Sequence, residues 1–521
     1  MKLPVSDDLN DEQKKIFMAP LEKNLLVGGP PGTGKTVMAL YRAMMIKKTD
    51  KRRKTLLWVI MYNRLLRKYT ADNLESTDAE NGQDVVARIR TYKKWLWTWG
   101  RNWGLGNREN FVVIKYVPKW DRKQQRDIDK RTEVTNWNKI RKRLIEKKDN
   151  HHRAVNFDHL IIDEGQDFAP GFYELMMLVK EIGRGFKKSI VLTIFADQNQ
   201  RITTENSDLD TIKEEMKFSG GDVKPLKTNY RNTKQVAELA AHFYDDLDTG
   251  IPNPPDKDSP IAPTLTAFTN IRDEAEHITN FVIQNNDLTF GVIVEEIVIK
   301  DELCSLLETN LRNTGIILQT YDYKVNDEDL EKIQLEKAGT ITLICGASCK
   351  GLEFDAVFIP RLETYPSEPP NKDLFKMNMF VRISRARDYL FLSYVNSGND
   401  EPRILDYFPK SLVDRKKTAK TRASSGRDYT KVAKPLVPEE TNTIKATPCK
   451  AEGVFVSDDK SDVEVNGFRI SHYKKAILVV GNTFPIKETL KKMGAKWFYN
   501  GQCWMFSAKR KNEVIAFLEN L

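Results

Sequence analysis

Gly29-Pro30-Pro31-Gly32-Thr33-Gly34-Lys35-Thr36 has the residue types and spacing needed to hold a run of phosphates. The pattern is GxxxxGK[ST]; an apolar run, Asn24–Gly28, leads into it and a helical pattern, Thr36–Met45, leads out. Glycines let successive backbone N–H groups wrap phosphate oxygens, and a helix N-terminus adds positive potential. Lys35 would then reach the β- and γ-phosphates, and the Thr36 hydroxyl would bind Mg2+. A second pair, Asp163-Glu164, ends the apolar run that starts at His159. It places two carboxylates at the carboxyl edge of a sheet, beside the phosphate loop. Asp163 is expected to hold Mg2+, directly or through water, and Glu164 to orient and deprotonate an attacking water. Together the two elements predict an NTP hydrolase with Mg2+ as a cofactor.

Such residues need a sheet to carry them. Apolar runs predict strands at Asn24–Gly28, Thr55–Met61, His159–Asp163, Ser189–Phe195, Phe290–Ile299, Ile341–Cys345, Ala356–Ile359 and Tyr389–Ser393. Several are continuous, as in strands buried on both faces of a parallel sheet. Helical patterns such as Thr36–Met45 and Thr233–Asp245 lie between them, which predicts an α/β fold. The chain has 521 residues, enough for about three to four domains. A Pro-rich stretch from Gly250 to Pro263 separates a first α/β domain, 1–250, from a second, 251–408. The first is expected to carry a helical basic insertion at about 86–156. A polar, flexible linker is expected over 409–466 and a small α+β module over 467–521. In that module Ile486, Leu490 and Met493 recur on one helical face.

Composition narrows the class. Hydrophobic residues make up 40% and charged residues 30%, which excludes a collagenous, fibrous or wholly disordered chain. No apolar run is long enough to span a bilayer, and the start, Met1-Lys2-Leu3-Pro4, reads as no signal peptide, so a cytoplasmic protein is expected. The five cysteines, at 304, 345, 349, 449 and 503, form no CxxC pair, which argues against disulfides or a zinc site. The net charge is +10, but residues 88–153 alone hold 20 basic against 7 acidic residues, and 410–434 hold 9 against 2. Concentrated positive charge fits a polyanion partner; a solvated Lys-rich surface fits it too. Six tryptophans (95, 97, 99, 103, 120 and 137) lie among those bases. They could stack on single strands, or pack a small subdomain, and about half are expected in the core.

An ordered set of motifs resembles the UvrD/Rep/PcrA-like superfamily 1 helicases over about residues 9–394. Leu9-Asn10-Asp11-Glu12-Gln13 looks like that family's Q motif; Tyr62-Asn63-Arg64 and Thr91-Tyr92 lie where strand-contact motifs are expected. Asp163-Glu164-Gly165-Gln166-Asp167 is close to the DExQD box, Phe195–Gln200 corresponds to the GDxxQ sensor, and Asn229-Tyr230-Arg231 resembles the NYR motif. Lys350-Gly351-Leu352-Glu353-Phe354 is similar to KGLEF, and Val381–Arg387 to VxxTRA. The resemblance implies two RecA-like motor domains and assigns roles to residues. Gln13 reads adenine, Tyr230 stacks on it, Glu353 meets the ribose and Gln200 senses the γ-phosphate. Arg231 and Arg385 neutralise charge on the transferred phosphoryl group, and Tyr62, Asn63, Arg64, Thr91 and Tyr92 touch nucleic acid. Because Lys35 belongs to the first domain and Arg385 to the second, ATP would bridge them and close the cleft. Single-stranded DNA and 3′→5′ movement follow from the family alone, and RNA stays open.

Departures also count. Only 119 positions separate Arg231 from Lys350, so a long subdomain of larger relatives is missing. Cys345-Gly346-Ala347 stands where many relatives have Thr-x-His, and Thr203 and Glu205 replace stacking aromatics. These changes favour a rival reading: a strand-stimulated ATPase switch inside a multiprotein defence or repair complex. A non-enzymatic scaffold is a further alternative. In the tail, Lys487, Lys491 and Lys492 accompany Trp497, Tyr499, Trp504 and Phe506; nucleic-acid or partner docking and simple packing explain them equally.

Overall fold

Short apolar runs with β-branched residues become the interior strands of two parallel sheets in a computed structural model of the chain. It describes residues 9–50, 55–75, 81–121, 126–197, 206–244, 251–321, 325–366, 369, 371–396 and 401–417, and parts of 463–519. In the first lobe the strands are β1 (Leu25–Gly28), β2 (Leu57–Met61), β3 (Ile89–Thr91), β4 (Val112–Asp121), β5 (Arg126–Thr135), β6 (His159–Ile162), β7 (Val191–Ala196) and β8 (Val223–Pro225). Six of them form a sheet in the order β3-β2-β6-β7-β1-β8, every neighbour parallel. Its central strands are the most apolar: all six residues of β7 are buried. Parallel neighbours require crossovers, and helices cover the faces they leave.

The second lobe follows the same logic with β9 (Thr264–Phe268), β10 (Thr289–Val294), β11 (Ile317–Tyr321), β12 (Thr340–Cys345), β13 (Phe354–Ile359), β14 (Ala386–Val395) and β15 (Asp414–Lys417). The order is β11-β12-β10-β13-β14-β9-β15, again all parallel. The architecture is therefore α/β with two large parallel sheets, as expected of two RecA-like lobes. Both lie in one unit, Met1–Ser424; Ser425–Leu521 forms another.

The strand expected at Phe290–Ile299 is shorter. It stops at Val294, and a helix, Ile297–Asn310, takes over. Ile297, Val298 and Ile299 resume the apolar run after Glu295 and Glu296, but Val298 is exposed: a helix turns successive residues to different faces, which a run cannot reveal. Residues 86–156 are helical in part, with helices Tyr92–Asn102, Trp137–Glu146 and His151–Ala154, but also hold the antiparallel hairpin of β4 and β5. That hairpin carries Val113, Ile114 and Tyr116 exposed, so it lacks the in–out alternation that marks a half-buried strand. The second sheet also takes up Asp414–Lys417, past residue 408, pairing this Lys-rich segment with β9 at its edge; charged residues suit an edge strand. Residues 418–462 of the expected linker lie outside the described residues.

In the second unit, β16 (Val463–Val465), β17 (Phe468–Tyr473), β18 (Ala476–Val480), β19 (Lys496–Phe498) and β20 (Cys503–Ser507) form an antiparallel sheet in the order β16-β17-β18-β20-β19. Helix Lys511–Glu519 follows. Leu490, Trp504, Phe506, Val514 and Leu518 are its buried core, with Ile486 and Met493 packed on it. Trp504 and Phe506 are thus structural; Lys487, Lys491, Lys492, Tyr499 and the Trp497 side chain lie outside the described residues. Among the described residues no helix is long and apolar enough to cross a membrane.

Candidate active site

Strand register brings the predicted catalytic residues to one edge. Gly28 of β1 pairs with Ala196 of β7, and Ile162 of β6 with Ile194. The phosphate loop, Asp163 and Asp197 therefore all emerge where their strands end, the usual crevice of a parallel sheet. Gly34 caps the helix Lys35–Thr49. Gly32 has φ 78°, and a Cβ there would sit 2.3 Å from the Asn229 amide oxygen, so only glycine fits. The Lys35 ammonium, buried, donates to the Gly29 and Pro30 carbonyls at 2.5 and 2.8 Å and lies 3.3 Å from Asp197. Thr33 Oγ1 donates to the Pro30 carbonyl at 2.9 Å, which braces the loop.

Thr36 Oγ1 donates to Asp163 Oδ2 at 2.8 Å, and Asp163 is fully buried. Burial, and then the neighbouring Glu164 carboxylate, push Asp163 up to about 7. A hydroxyl beside a buried carboxylate is a hard oxygen pair that suits Mg2+, whose other positions water and phosphate normally fill. The donor set fits that role: Thr36 Oγ1 and Asp163 Oδ2 are two hard oxygens already side by side.

Glu164 has φ 56°, left-handed for a residue with a side chain. Such strain costs roughly 1–3 kcal/mol and tends to sit at functional sites. It turns the chain into Gly165–Asp167, so that Gln166 donates to Glu164 Oε2 at 2.6 Å and accepts from the Asp197 N–H at 2.8 Å. Burial alone would raise Glu164. The ammonium groups of Lys350 and Lys35, the Gln166 amide and the Arg385 guanidinium outweigh it and hold the carboxyl below its ordinary value. Lys35 comes from the first lobe, whereas Lys350 and Arg385 come from the second. All three act on one carboxylate, so the two lobes share a crevice.

Lys350 escaped the sequence reading as a site residue. Its ammonium lies 2.7 Å from Asp167 and 3.6 Å from Glu164 and is buried. The signal available was the glycine after it. Gly351 has φ 81°, and a Cβ there would strike Leu66 of the first lobe at 2.7 Å; the lobes meet at this point. Arg387 also went unread: it reaches Glu353 at 2.7 Å and Asp355 at 2.9 Å.

Arg231 Nε donates to Glu353 Oε2 at 2.7 Å, again across the lobes. Glu353, expected at a ribose, has both oxygens engaged by Arg231 and Arg387. Burial opposes ionisation there, but the two guanidinium groups hold the carboxyl far below its usual range. In this structure it positions Arg231. The buried Arg231 NH1 finds no acceptor among the described residues. Arg385, 1% exposed, donates to the Val381 and Leu352 carbonyls and to Ser384 Oγ. Burial, and then the Arg231 guanidinium, lower it to about 10. Two cations crowded together, one with an orphaned donor, form a place for an anion.

Tyr230 is exposed, its hydroxyl bonded by the Asn10 amide and its N–H donating to the Gly32 carbonyl at 2.9 Å. Its ring is thus exposed beside the phosphate loop. Gln13 closes a capping box with Asn10 and points its amide at the Thr33 carbonyl, 3.5 Å away. Gln200 lies outside the described residues.

The expected strand-contact residues divide. Asn63 donates to the Ser348 and Lys350 carbonyls, and Arg64 to the Val325 carbonyl and Asp327, all in the second lobe. Tyr92 is buried against Phe168 and stacks on Tyr62 at 5.6 Å. Tyr62 and Thr91 stay half-buried. Of the six tryptophans, Trp95, Trp99, Trp103 and Trp137 are core; Trp97 is half-buried, and the Trp120 side chain lies outside the described residues.

Residues 12–206 match a family model described as an AAA domain. The match contains the phosphate loop and Asp163-Glu164, and so implies a nucleotide-binding lobe. No curated protein matches the chain. Among solved structures the chain is similar to the C-terminal domain of a possible DNA helicase from Lactobacillus plantarum WCFS1. The identity is 17% over 36% of this chain and 99% of that one, with a TM-score of 0.27.

Proposed function

We propose that the chain is an ATP-dependent nucleic-acid motor of the superfamily 1 helicase kind, using ATP and Mg2+, acting on single-stranded DNA with 3′→5′ polarity. The observation that carries this reading is Glu164, a strained, buried carboxylate ringed by Lys35 from one lobe and by Lys350 and Arg385 from the other. Lys35 and the loop amides would grip phosphates. Thr36 and Asp163 would hold Mg2+, which supplies charge neutralisation at the phosphates when bound. Glu164 would take the proton of the attacking water, since its neighbours keep it ionised. Arg231 NH1, orphaned in the crevice, and Arg385 would offset charge on the transferred group. Tyr230 would stack on the base. Anion binding relieves the repulsion between two arginines from opposite lobes, so nucleotide occupancy would close the cleft and hydrolysis would loosen it.

One observation favours a second reading, a strand-stimulated ATPase switch within a defence or repair complex that does not unwind processively. Asn63 and Arg64 are spent on the other lobe rather than offered to a strand. ATP turnover with and without single-stranded DNA or RNA, followed by displacement of 3′- and 5′-tailed duplexes, separates the readings. Stimulated turnover with displacement supports the motor; stimulation without displacement supports the switch; no turnover sinks both. In Glu164→Gln, turnover should fall by at least about 10²-fold with nucleotide binding retained; normal turnover contradicts the assignment.

A further inference from the structure

A cavity of about 590 Å³ opens on the first lobe between the start of β2, the helix Tyr92–Asn102 and the turn at 153–156. It lies at the opposite edge of the sheet from the nucleotide crevice. Leu56 and Asn156 line it and precede β2 and β6, whereas Asp163 follows β6. A four-residue strand at about 3.3 Å per residue puts roughly 13 Å or more between the two edges. The cavity is thus a separate place, and nothing in the ATP reading uses it.

Its walls combine three features. Arg90, Lys94 and Arg153 line it, and among the described residues no acid does. Arg88 and Arg90 both lie over the Trp58 ring, at 5.4 and 5.6 Å from its centroid. Burial, and then Arg67 and Arg88, lower the Arg90 guanidinium, so an anion entering here would relieve crowded positive charge. The aromatic content is high: Trp58 and Trp99 line the cavity with Trp95, and Trp95 stacks on Trp99 at 5.3 Å with planes 4° apart. Finally, Trp95 is 2% exposed, and its indole N–H has no acceptor among the described residues, while the Trp99 N–H is taken by the Ala154 carbonyl at 2.8 Å. A buried donor left unpaired is costly; Trp103 and Trp137 carry unpaired indole N–H groups too, and Trp95 is the one of the three that lines this cavity. A merely solvated basic face needs neither concavity nor a buried indole donor. Concave sites with apolar walls and a few converging polar groups are ligand sites.

We propose that this cavity binds a phosphorylated nucleoside, its flat ring against the indoles and its phosphate among Arg90, Lys94 and Arg153. That chemistry has two sources, a free mononucleotide or the phosphate-bearing end of a strand. The test uses the full chain carrying Lys35→Ala, which removes phosphate binding at the crevice. AMP, and a short oligonucleotide with or without a 5′-phosphate, are titrated by calorimetry and indole fluorescence. AMP binding assigns the free nucleotide. Binding of the phosphorylated oligonucleotide at least ten-fold tighter than its hydroxyl twin assigns the strand end. In either case Lys94→Glu with Arg153→Glu, both exposed positions, should weaken binding at least ten-fold. Trp95→Phe, which keeps a ring and deletes the N–H, should weaken it several-fold. Strand-independent ATP turnover by the charge-reversed chain with Lys35 intact should match the parent, which keeps this test apart from the ATP reading. Neither ligand binding, unchanged affinity after charge reversal, or displacement of AMP by an equal concentration of inorganic phosphate would overturn the proposal.

Discussion

Lys350 illustrates how a buried charge is tolerated only in company. Burial opposes its ammonium, yet Asp167 and Glu164 raise its pKa. Removing one partner of a buried pair typically costs about 3–5 kcal/mol, because the other charge stays behind unpaired. Lys350→Ala should therefore lower the melting temperature clearly and cut ATP turnover with it; a variant as stable and active as the parent would show that the pair is idle. A second buried carboxyl gives the pH dependence. Glu274, inside the second lobe, accepts from Ser393 Oγ and the Arg361 N–H, and burial pushes it up to about 7. Its folded pKa lies above the unfolded value of about 4.5, so the fold holds the proton more tightly. Its contribution to stability is then greatest below pH 4.5 and is lost as pH rises through 7. Denaturant melts of Glu274→Gln and parent between pH 5 and pH 8 should show the difference moving in the variant's favour with rising pH. A pH-independent difference would mean that Glu274 titrates normally.

At the scale of elements, tryptophans near bases invite a stacking role, and packing decided otherwise for most of them. Trp103 is fully buried, and Trp99 meets it edge to face at 5.5 Å. Trp103→Ala should cost about 3–5 kcal/mol, read by urea melts; a loss below about 1 kcal/mol would return the residue to the surface. What could be read in advance follows the same division. Continuous apolar runs such as Val191–Ala196 announce interior strands because both faces are buried. Edge and short strands did not stand out: Asp414–Lys417 is wholly charged, and Ile89–Thr91 has three residues. The GxxxxGK[ST] loop and Asp163-Glu164 were legible because their chemistry demands particular residues at the ends of strands. That Asn63 and Arg64 would bond to the second lobe could not be read in advance, because a motif gives a residue's position in the chain and not which lobe its side chain will meet.

For the whole Met1–Ser424 unit, the balance between grip and release matters most. The lobes are tied by Arg64–Asp327 at 2.6 Å and Arg67–Glu331 at 2.7 Å, whose acids are 77% and 57% exposed. Pairs of this kind contribute roughly 0–1 kcal/mol and are screened by salt. The more deeply buried cross-lobe contacts, Lys350–Asp167 and Arg231–Glu353, lie in the crevice itself. The seam is thus least exposed at the crevice, where the proposed function places the phosphates. Single-turnover ATP hydrolysis by Arg385→Ala, run beside nucleotide affinity and with Arg385→Lys as a control for folding, tests this most directly. A loss of at least about 10³-fold in the hydrolysis rate is expected, with affinity held within about ten-fold. Hydrolysis by folded Arg385→Ala within ten-fold of the parent would contradict it, since the second lobe would then contribute nothing to cleavage.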